Sequence, residues 1–460
     1  MKRIIFATIS LLLAISGFSQ DINGSWSGVL DAMGNKLPLV INISENDGNY
    51  SATMDSPTQG AKGIPIGTVN FENEKLTFAI PNMAIEYEGI MQADSIAGTF
   101  KQGSMAFPLN LKKTDEVFTP VRPQEPKPPY PYISEDVTFE NKLAEVTLAG
   151  TLTMPSSGNN FTAVILISGS GSQDRNEEIM GHKPFLVVAD YLTRHGIAVL
   201  RYDDRGFAQS TGDFMSATTA DFATDTESAV EYLKSRKEIN PNKIGLMGHS
   251  EGGIIAPMIA ARSKDIGFIV MLAGTGLRGY EIILTQVEEL YKVAGVPANQ
   301  ISETLRINKA IYDLIIESKE DVSKQEITDL LTSMEDDITQ IIPAGISFDN
   351  YIQQLAAQMS SPWMQYFLRY DPAPALELVK CPVLAVNGSK DLQVISKENL
   401  SFIGKSLEKG GNKRITIKEY PGLNHLFQEC TTGLPNEYAI IEQTFSPEVL
   451  QDLTDWILNL

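Results

Sequence analysis

The stretch Gly248-His249-Ser250-Glu251-Gly252 constrains the fold of this chain more than any other segment. Its pattern, Gly-x-Ser-x-Gly, is weak by itself, because a glycine-rich turn can carry a serine by chance. The neighbouring residues make it informative: the short apolar run 243–247 predicts a buried strand, and an apolar helix is predicted to begin at Gly252. A strand that turns sharply into a helix strains the residue at the turn and lifts its hydroxyl above the sheet edge. Ser250 is therefore a candidate nucleophile.

A serine nucleophile needs a base, and the chain has four histidines. His425 follows the predicted strand 415–419, in a loop at the strand's carboxyl end, where open α/β sheets place their chemistry. His249 is adjacent to the serine, and neighbouring side chains at such a turn point apart. His182 and His195 precede the nucleophile, and His195 ends a predicted helix, where a structural role is typical. We predict that His425 is the base.

The base in turn needs an orienting acid. Asp391 lies in the loop that follows the predicted strand 383–387, between the serine and His425 along the chain. The alternative is a solvated loop aspartate. Glu377 and Glu398 fall in predicted helical segments and are poorer candidates. We predict Asp391 as the acid.

Two backbone amides must stabilise the oxyanion that forms when a serine attacks a carbonyl. One is expected from Glu251, the residue after the nucleophile. The other is expected from the loop 168–172, which follows the predicted strand 163–167, with Ser170 as first choice and Gly171 next. A second polar loop, 203–206, carries Asp-Asp-Arg-Gly; its charges either contact substrate or, as we favour, form a buried ion pair that braces these loops.

The sequence pattern of about the first third of the chain differs from that of the rest. Residues 20–116 alternate apolar and polar side chains between glycine, asparagine and aspartate turns, which predicts an all-β, barrel-like domain without a catalytic constellation. Residues 117–131 are proline-rich and predict an extended, semi-rigid linker.

From residue 132 to residue 460, a leading hairpin is followed by alternating predicted strands and helices. This order predicts a mostly parallel sheet with helices on both faces. The alternation stops between about 276 and 374, where amphipathic stretches predict a helical cap over the sheet edge. Within it Tyr351–Leu368 is predicted as one helical stretch. The large cap side chains either line a substrate pocket or form the core of the cap: Tyr291, Met359, Trp363, Met364 and Phe367.

The bulk properties exclude some classes of function. A formal charge of −20 disfavours binding to nucleic acid. Lys2 and Arg3, an apolar run and small residues before Ser19 predict a secretory signal peptide over 1–19, hence export to the periplasm or beyond, and no other run predicts a transmembrane segment in the mature chain. Cys381 and Cys430 either form a disulfide or remain separate thiols, and no Cys/His spacing indicates a metal site.

The motifs together resemble a known superfamily. Residues 167–175 (Ile-Ser-Gly-Ser-Gly-Ser-Gln-Asp-Arg) and 202–206 (Tyr-Asp-Asp-Arg-Gly), with the Gly-x-Ser-x-Gly stretch, are similar to those of α/β-hydrolases, and in particular of bacterial secreted carboxylesterases with a helical cap and an extra N-terminal domain. The resemblance covers the last two thirds of the chain. It implies Ser250 as nucleophile, Asp391 as acid, His425 as base, and activity on short-chain carboxylic esters.

One position departs from the pattern of these enzymes. Where they often have His-Gly in the oxyanion loop, this chain has Ser168-Gly169; the backbone donor survives the change, and any role of that histidine does not. The N-terminal domain resembles small β-barrel modules attached to similar hydrolases, for which the resemblance implies no activity.

The sequence therefore predicts an exported serine hydrolase that acts on a small-molecule ester and whose chemistry needs no metal or cofactor. A serine peptidase or amidase on the same fold is the nearest alternative, because the machinery is shared. A second alternative is a protein that binds glycan or cell-wall material through the β-domain. Exposed aromatic residues there would favour binding, whereas Trp26 and Tyr50 can equally be core residues. The sequence leaves the oligomeric state open.

Overall fold

The structure, a computed structural model, describes residues 22–32, 35–46, 49–57, 61–103, 105–114, 121–342 and 346–460. Contacts divide the described chain into two compact units, the first within residues 22–114 and the second within residues 121–460. The predicted signal peptide, 1–19, and part of the predicted linker, 117–120, lie outside the described residues.

The first unit is an antiparallel half-barrel. Its strands are β1 (Gly24–Ala32), β2 (Asn35–Asn46), β3 (Asn49–Ser56), β4 (Ala61–Pro65), β5 (Thr68–Glu72), β6 (Lys75–Ile80), β7 (Ile85–Gln92), β8 (Ser95–Gln102), β9 (Met105–Pro108) and β10 (Leu111–Thr114). They form one sheet in the order β4-β3-β2-β1-β10-β8-β7-β6-β5, with β9 paired to β8. Alternate side chains, as in β7, are buried, which confirms the predicted all-β, barrel-like domain.

Trp26 lies in the centre of the half-barrel and is completely buried. Its indole nitrogen donates a hydrogen bond to the Ile22 carbonyl (2.8 Å), so both the apolar and the polar part of the side chain have partners inside the unit. Trp26 is therefore a core residue and offers no exposed aromatic platform for a glycan.

The second unit is built on a mixed eight-stranded sheet. Its strands are β11 (Ile133–Asn141), β12 (Val146–Met154), β13 (Phe161–Ile167), β14 (Ala198–Tyr202), β15 (Ile239–His249), β16 (Phe268–Leu272), β17 (Val383–Gly388) and β18 (Ile415–Tyr420). The order is β11-β12-β14-β13-β15-β16-β17-β18, antiparallel from β11 to β14 and parallel from β14 onward. Strands β14, β16 and β17 are buried at every position, as expected where helices cover both faces.

The described residues of this unit form twelve α-helices: α1 (Pro184–Arg194), α2 (Thr219–Ser235), α3 (Gly252–Arg262), α4 (Gly279–Val293), α5 (Ala298–Glu317), α6 (Lys324–Thr332), α7 (Glu335–Ile338), α8 (Phe348–Met359), α9 (Pro362–Arg369), α10 (Ala373–Leu378), α11 (Ser396–Lys409) and α12 (Pro447–Leu458). Helices α1 and α12 contribute to the core on one face of the sheet, and α2, α3, α10 and α11 to the core on the other. Helices α4 to α9 form the predicted cap, whose apolar stripes meet in a core of their own.

One prediction about local structure is wrong in detail. The stretch Tyr351–Leu368 is not one helix, because α8 ends at Met359 and α9 begins at Pro362, with the Ser361 hydroxyl accepting a hydrogen bond from the Met364 amide (3.3 Å). A proline is accommodated in the first turn of a helix but not in its interior, so the chain restarts there.

The described part of the predicted linker forms hydrogen bonds within the second unit. Arg122 donates to the carbonyls of Met180 (3.0 Å) and Ala439 (3.0 Å), and the Gln124 amide group donates to the Phe445 carbonyl (2.7 Å). These bonds join it to loops of the second unit that lie far away in the sequence.

The register of the parallel strands brings several loops to one edge of the sheet. Ile167 at the end of β13 pairs with Gly248, and Gly388 at the end of β17 pairs with Tyr420 at the end of β18. The loops that follow these strands contain every residue predicted for catalysis.

Three further findings concern the described residues alone. They include no helix with the length and apolar character of a membrane span. They include no group of three or more histidine, cysteine or acidic side chains placed to hold a metal ion. Cys381 and Cys430 are both free thiols.

Candidate active site

Ser250 occupies a tight turn between β15 and α3. Its φ of 52° is in the left-handed region, which non-glycine residues adopt rarely, and its amide donates to the Leu272 carbonyl (2.9 Å). The flanking glycines permit the turn: a Cβ on Gly248 would lie 1.9 Å from the Gly252 carbonyl oxygen, and one on Gly252 would lie 2.2 Å from the Ile167 oxygen. The Gly-x-Ser-x-Gly pattern is thus required by close backbone packing.

Asp391 and His425 meet at the same edge of the sheet. The Asp391 Oδ2 atom lies 2.7 Å from the His425 Nδ1 atom, and both side chains are buried. The other carboxylate oxygen accepts hydrogen bonds from the amides of Gln393 (2.8 Å) and Val394 (2.9 Å). This arrangement fixes the carboxylate, and the carboxylate fixes the orientation of the ring, leaving Nε2 as the nitrogen available to a reacting group.

Ser250 and His425 line one cavity of about 330 Å³. Within the described residues no hydrogen bond joins the serine hydroxyl to the ring, and catalytic hydrogen bonds are often long until substrate binds. The predicted acid and base are therefore in contact, and the predicted nucleophile shares their cavity.

The predicted oxyanion donors differ in their surroundings. Neither the Glu251 amide nor the Ser170 amide donates to a protein acceptor in the described chain, and both residues line the cavity. The Gly169 amide is engaged by a Glu177 carboxylate oxygen (2.8 Å). Gly171 does not line this cavity and lines a separate, smaller one instead. The assignment of Ser170 or Gly171 as the second oxyanion donor stays a prediction.

His249, the residue before the nucleophile, links two loops of the site. Its Nδ1 atom lies 2.8 Å from the Glu177 Oε1 atom and its Nε2 atom 3.0 Å from the His425 carbonyl oxygen. A carbonyl oxygen and a carboxylate oxygen are both acceptors, so the geometry favours a protonated ring that donates from both nitrogens. Burial lowers the pKa of His249, but the charge and hydrogen bond of Glu177 outweigh burial and raise that pKa above its ordinary value.

Glu251, the residue after the nucleophile, reaches the cap. Its Oε1 atom accepts hydrogen bonds from the Thr219 hydroxyl (2.6 Å) and from the indole nitrogen of Trp363 in α9 (2.8 Å). Burial raises the pKa of Glu251, and hydrogen bonds from Thr219, Trp363 and Ser170 partly offset that rise. The same residue thus offers its amide to the cavity and its carboxylate to the cap.

The charged loop 203–206 braces the site and does not line the cavity. Asp203 pairs with Arg175 (2.7 Å) and Arg205 pairs with Asp225 (2.6 Å), as favoured from the sequence. Asp204 accepts hydrogen bonds from the Ser168 hydroxyl and the Gln173 amide (both 2.8 Å), which hold the loop that carries Ser170. Burial raises the pKa of Asp204 to about 8.

The cap contributes the apolar wall of the cavity. Of the cap side chains singled out in the sequence, Trp363, Met364 and Phe367 line it, whereas Met359 lies in the cap core and Tyr291 is 37% exposed. The rings of Trp363 and Phe367 stack with centroids 5.2 Å apart. A ligand that fills this cavity would contact these rings.

Sequence reasoning missed the roles of Glu177, Thr219 and the His249 side chain. Glu177 contacts His249 across 72 positions of the chain, and Thr219 contacts Glu251 across 32. No local spacing signals such pairs, because the fold alone brings them together.

The sheet order, the elbow and the acid and histidine after β17 and β18 define the class of the protein: it is an α/β-hydrolase, which confirms the predicted fold. A model of the family described as serine aminopeptidase, S33 (Hydrolase_4) matches residues 183–429, more than half of the chain. The chain belongs to this family.

Individual relatives were found in sequence and in structure. Esterase EstD of Thermotoga maritima is 28% identical over 347 residues, which are 74% of this chain and 74% of that protein. The esterase Pf2001 of Pyrococcus furiosus superposes with a TM-score of 0.43 and 15% identity over 71% of this chain and 93% of its own. Est1E of Butyrivibrio proteoclasticus, solved with ferulic acid, superposes with a TM-score of 0.41 and 17% identity over 70% and 98% of the two chains.

Proposed function

We propose that this protein hydrolyses small carboxylic esters through an acyl-enzyme on Ser250. The observation that carries the proposal is the buried Asp391–His425 pair, 2.7 Å apart, whose histidine lines the cavity that also contains the strained serine. The likeness to Esterase EstD supports an ester as the substrate.

The proposed reaction has two halves. Ser250 Oγ attacks the ester carbonyl while His425 Nε2 takes the hydroxyl proton, and Asp391 stabilises the imidazolium that forms. The amides of Glu251 and Ser170 donate to the oxyanion. The alcohol then leaves with the proton from His425, and a water molecule, activated by the same ring, releases the acid and restores the serine.

The family description favours a second candidate, cleavage of an amide next to a free amino group. Recognition of an ammonium group requires a carboxylate that is free to bind it. Among the described residues that line the cavity, the carboxylates are Glu177 and Glu251, and both are already engaged, by His249 and by Trp363. Their engagement favours the ester.

The test is a panel of nitrophenyl esters of increasing acyl length beside aminoacyl and peptidyl anilides. We expect turnover of the short esters and little of the anilides. Ser250→Ala should reduce ester turnover by about 10⁴-fold or more while leaving the fold intact. Ser235→Ala, which alters an exposed serine at the end of α2, is the control. Anilides cleaved faster than esters would replace the ester assignment with the peptidase one.

We also propose that the chain is exported, on the basis of its basic and apolar first residues. Fractionation of the producing cells followed by N-terminal mass analysis tests this. The mature protein should begin at Gln20 and be found outside the cytoplasm; an intact N-terminus in the cytoplasmic fraction would contradict export.

A further inference from the structure

A second cavity in the hydrolase unit is lined by cations, although the chain as a whole has a formal charge of −20. Its volume is about 340 Å³, and Arg175, Lys183 and Arg201 contribute to its wall. Among the described residues that line it, Asp136 is the one carboxylate, and it pairs with Arg175 (3.4 Å). None of its lining residues lines the cavity of Ser250.

Arg201 is the unusual member of this wall. It lies in β14, is 4% exposed, and has no ion-pair partner among the described residues. Its guanidinium donates to the Asn176 side chain, and its Nε atom is buried without a hydrogen-bond partner. A buried guanidinium without a counter-charge is costly, because its desolvation is not repaid. Burial lowers the pKa of Arg201 to about 10, so the group remains a cation at neutral pH.

The other cations differ in how far they are engaged. The donors of Arg175 are used by Asp203 (2.7 and 3.0 Å) and by the Gly150 carbonyl (3.0 Å). Lys183 is 3.8 Å from each of its nearest carboxylate oxygens, on Glu125 and Glu178, which is beyond hydrogen-bond distance. Arg201 and Lys183 therefore have donors left for a ligand, whereas Arg175 does not.

We propose that this cavity binds the carboxylate or phosphate group of a small ligand, with the Arg201 guanidinium and Lys183 Nζ as the charged donors. An oxyanion there would supply the counter-charge that Arg201 lacks. About ten water molecules in the liquid occupy a volume of this size, so the cavity has room for a small organic anion as well as for an inorganic one. Hydroxyl groups of Ser134 and Tyr130 on the same wall are available to the remaining oxygens.

The proposed anion site is connected to the loop 168–172 through two adjacent residues. Asn176, which accepts from Arg201, is followed by Glu177, which accepts from the Gly169 amide and pairs with His249. The binding site requires no step of ester hydrolysis, so it stands independently of the proposed reaction.

The test measures thermal unfolding of the full chain at neutral pH and constant ionic strength, with sodium phosphate in one series and sodium acetate in the other, against sodium chloride. We expect a saturable rise in Tm in at least one series, since a ligand that binds only the folded state stabilises it by mass action. Saturation with phosphate alone assigns a phosphate ligand, and saturation with acetate alone assigns a carboxylate. No saturable rise in either series would overturn the proposal.

Arg201→Met separates binding from a structural role. In chloride it should be at least as stable as the parent, because it removes an uncompensated buried charge, and it should lose the anion-dependent rise. Arg262→Met is the matched control, since Arg262 forms an exposed ion pair with Glu227 (2.7 Å), and it should keep the rise. An unchanged rise in Arg201→Met would contradict the assignment of the donor.

Lys183→Met provides a second variant if Arg201→Met fails to fold, because the Lys183 side chain is at the rim and 32% exposed. Loss of one charged donor should weaken anion binding about tenfold, measured by titration calorimetry. Affinity equal to that of the parent would overturn the proposed site.

Discussion

The two neighbours of Ser250 lead to different regions of the molecule. His249 points to the sheet edge, where it joins the loop of Glu177 to the loop of His425 through hydrogen bonds. Glu251 points to the cap, where it accepts from Trp363. On one side of Ser250, His249 thus joins two loops of the site. On the other side, Glu251 is held by Thr219 and reaches the apolar wall of the cap through the indole hydrogen bond from Trp363.

This difference indicates a division of labour. Buried charged hydrogen bonds hold groups at a defined distance, as an oxyanion amide and a base require. Stacked aromatic rings and a flexible methionine side chain can pack against acyl chains of different shape. Damage on the His249 side should therefore lower kcat, and damage on the Glu251 side should mainly change KM and chain-length preference. The predictions below test that separation, in order of decreasing effect.

The largest effect should follow from Asp391→Asn. The fold should be preserved, because the amide is isosteric, while kcat for a short ester falls by about 10⁴-fold as the His425 ring loses its orienting charge. Ester kinetics and a thermal melt of the same sample measure both quantities. The control is Asp371→Asn, which alters an exposed ion pair with Arg278 in the cap. Near-normal turnover in Asp391→Asn, with a large loss in a Glu377 or Glu398 variant, would show that the acid is elsewhere.

Glu177→Gln should have the next largest effect. It removes the charge that pairs with His249 and weakens the acceptor of the Gly169 amide, so the oxyanion loop and the base loop lose a shared anchor. We expect kcat to fall by about 10²-fold with little change in KM, because a displacement of about 1 Å in a catalytic group lowers the rate by about that factor. The neighbouring exposed residue supplies the control, Glu178→Gln. Equal kinetics for the two variants would contradict a positioning role for Glu177.

Trp363→Phe should act on the other side of the nucleophile. The ring stack with Phe367 can persist while the hydrogen bond to Glu251 is lost, at a cost of about 1–2 kcal/mol in unfolding free energy. KM and the preferred acyl length should change several-fold more than kcat for short esters. Trp456→Phe removes a comparable indole hydrogen bond, to Thr416 (3.1 Å), far from the site and serves as control. A loss confined to kcat would contradict the proposed difference between the His249 side and the Glu251 side of the nucleophile.

The smallest effect concerns pH. Because the folded-state pKa of His249 is raised, its proton stabilises the folded protein fully below the unfolded pKa of about 6.5, and this stability is lost as pH rises through the folded value. The difference in unfolding free energy between the parent and His249→Gln should therefore shrink as pH rises above neutral. Urea titrations at several pH values measure it. A difference that grows with pH would mean that the ring is neutral in the fold.

The sequence predicted the sheet well for a physical reason. Strands of a covered parallel sheet are nearly continuous apolar runs, so the strand predicted over 383–387 differs by one residue from β17, Val383–Gly388. Residues that follow such strands lie at one edge by topology alone, which is why Ser250, Asp391 and His425 could be chosen without coordinates. Their assignment to catalysis stays a prediction until the chemistry is measured.

What the sequence could not supply depends on contacts between distant segments. The break between α8 and α9 has a local signal, Ser361-Pro362, which the amphipathic pattern obscured. The hydrogen bond from Arg122 to the Ala439 carbonyl has no local signal in the sequence, because arginine donates to any exposed carbonyl that the fold brings near it. The same holds for Glu177 and for the unpaired Arg201.

Covalent trapping of the nucleophile tests the central claim most directly. The purified protein is treated with a serine-directed fluorophosphonate, its residual ester hydrolysis is followed, and the modified residue is located by peptide mass spectrometry. The account predicts one phosphonyl group per chain, on Ser250, with activity lost in proportion to labelling, and no labelling of Ser250→Ala. Loss of activity with the label on another residue, or full activity with Ser250 labelled, would contradict it.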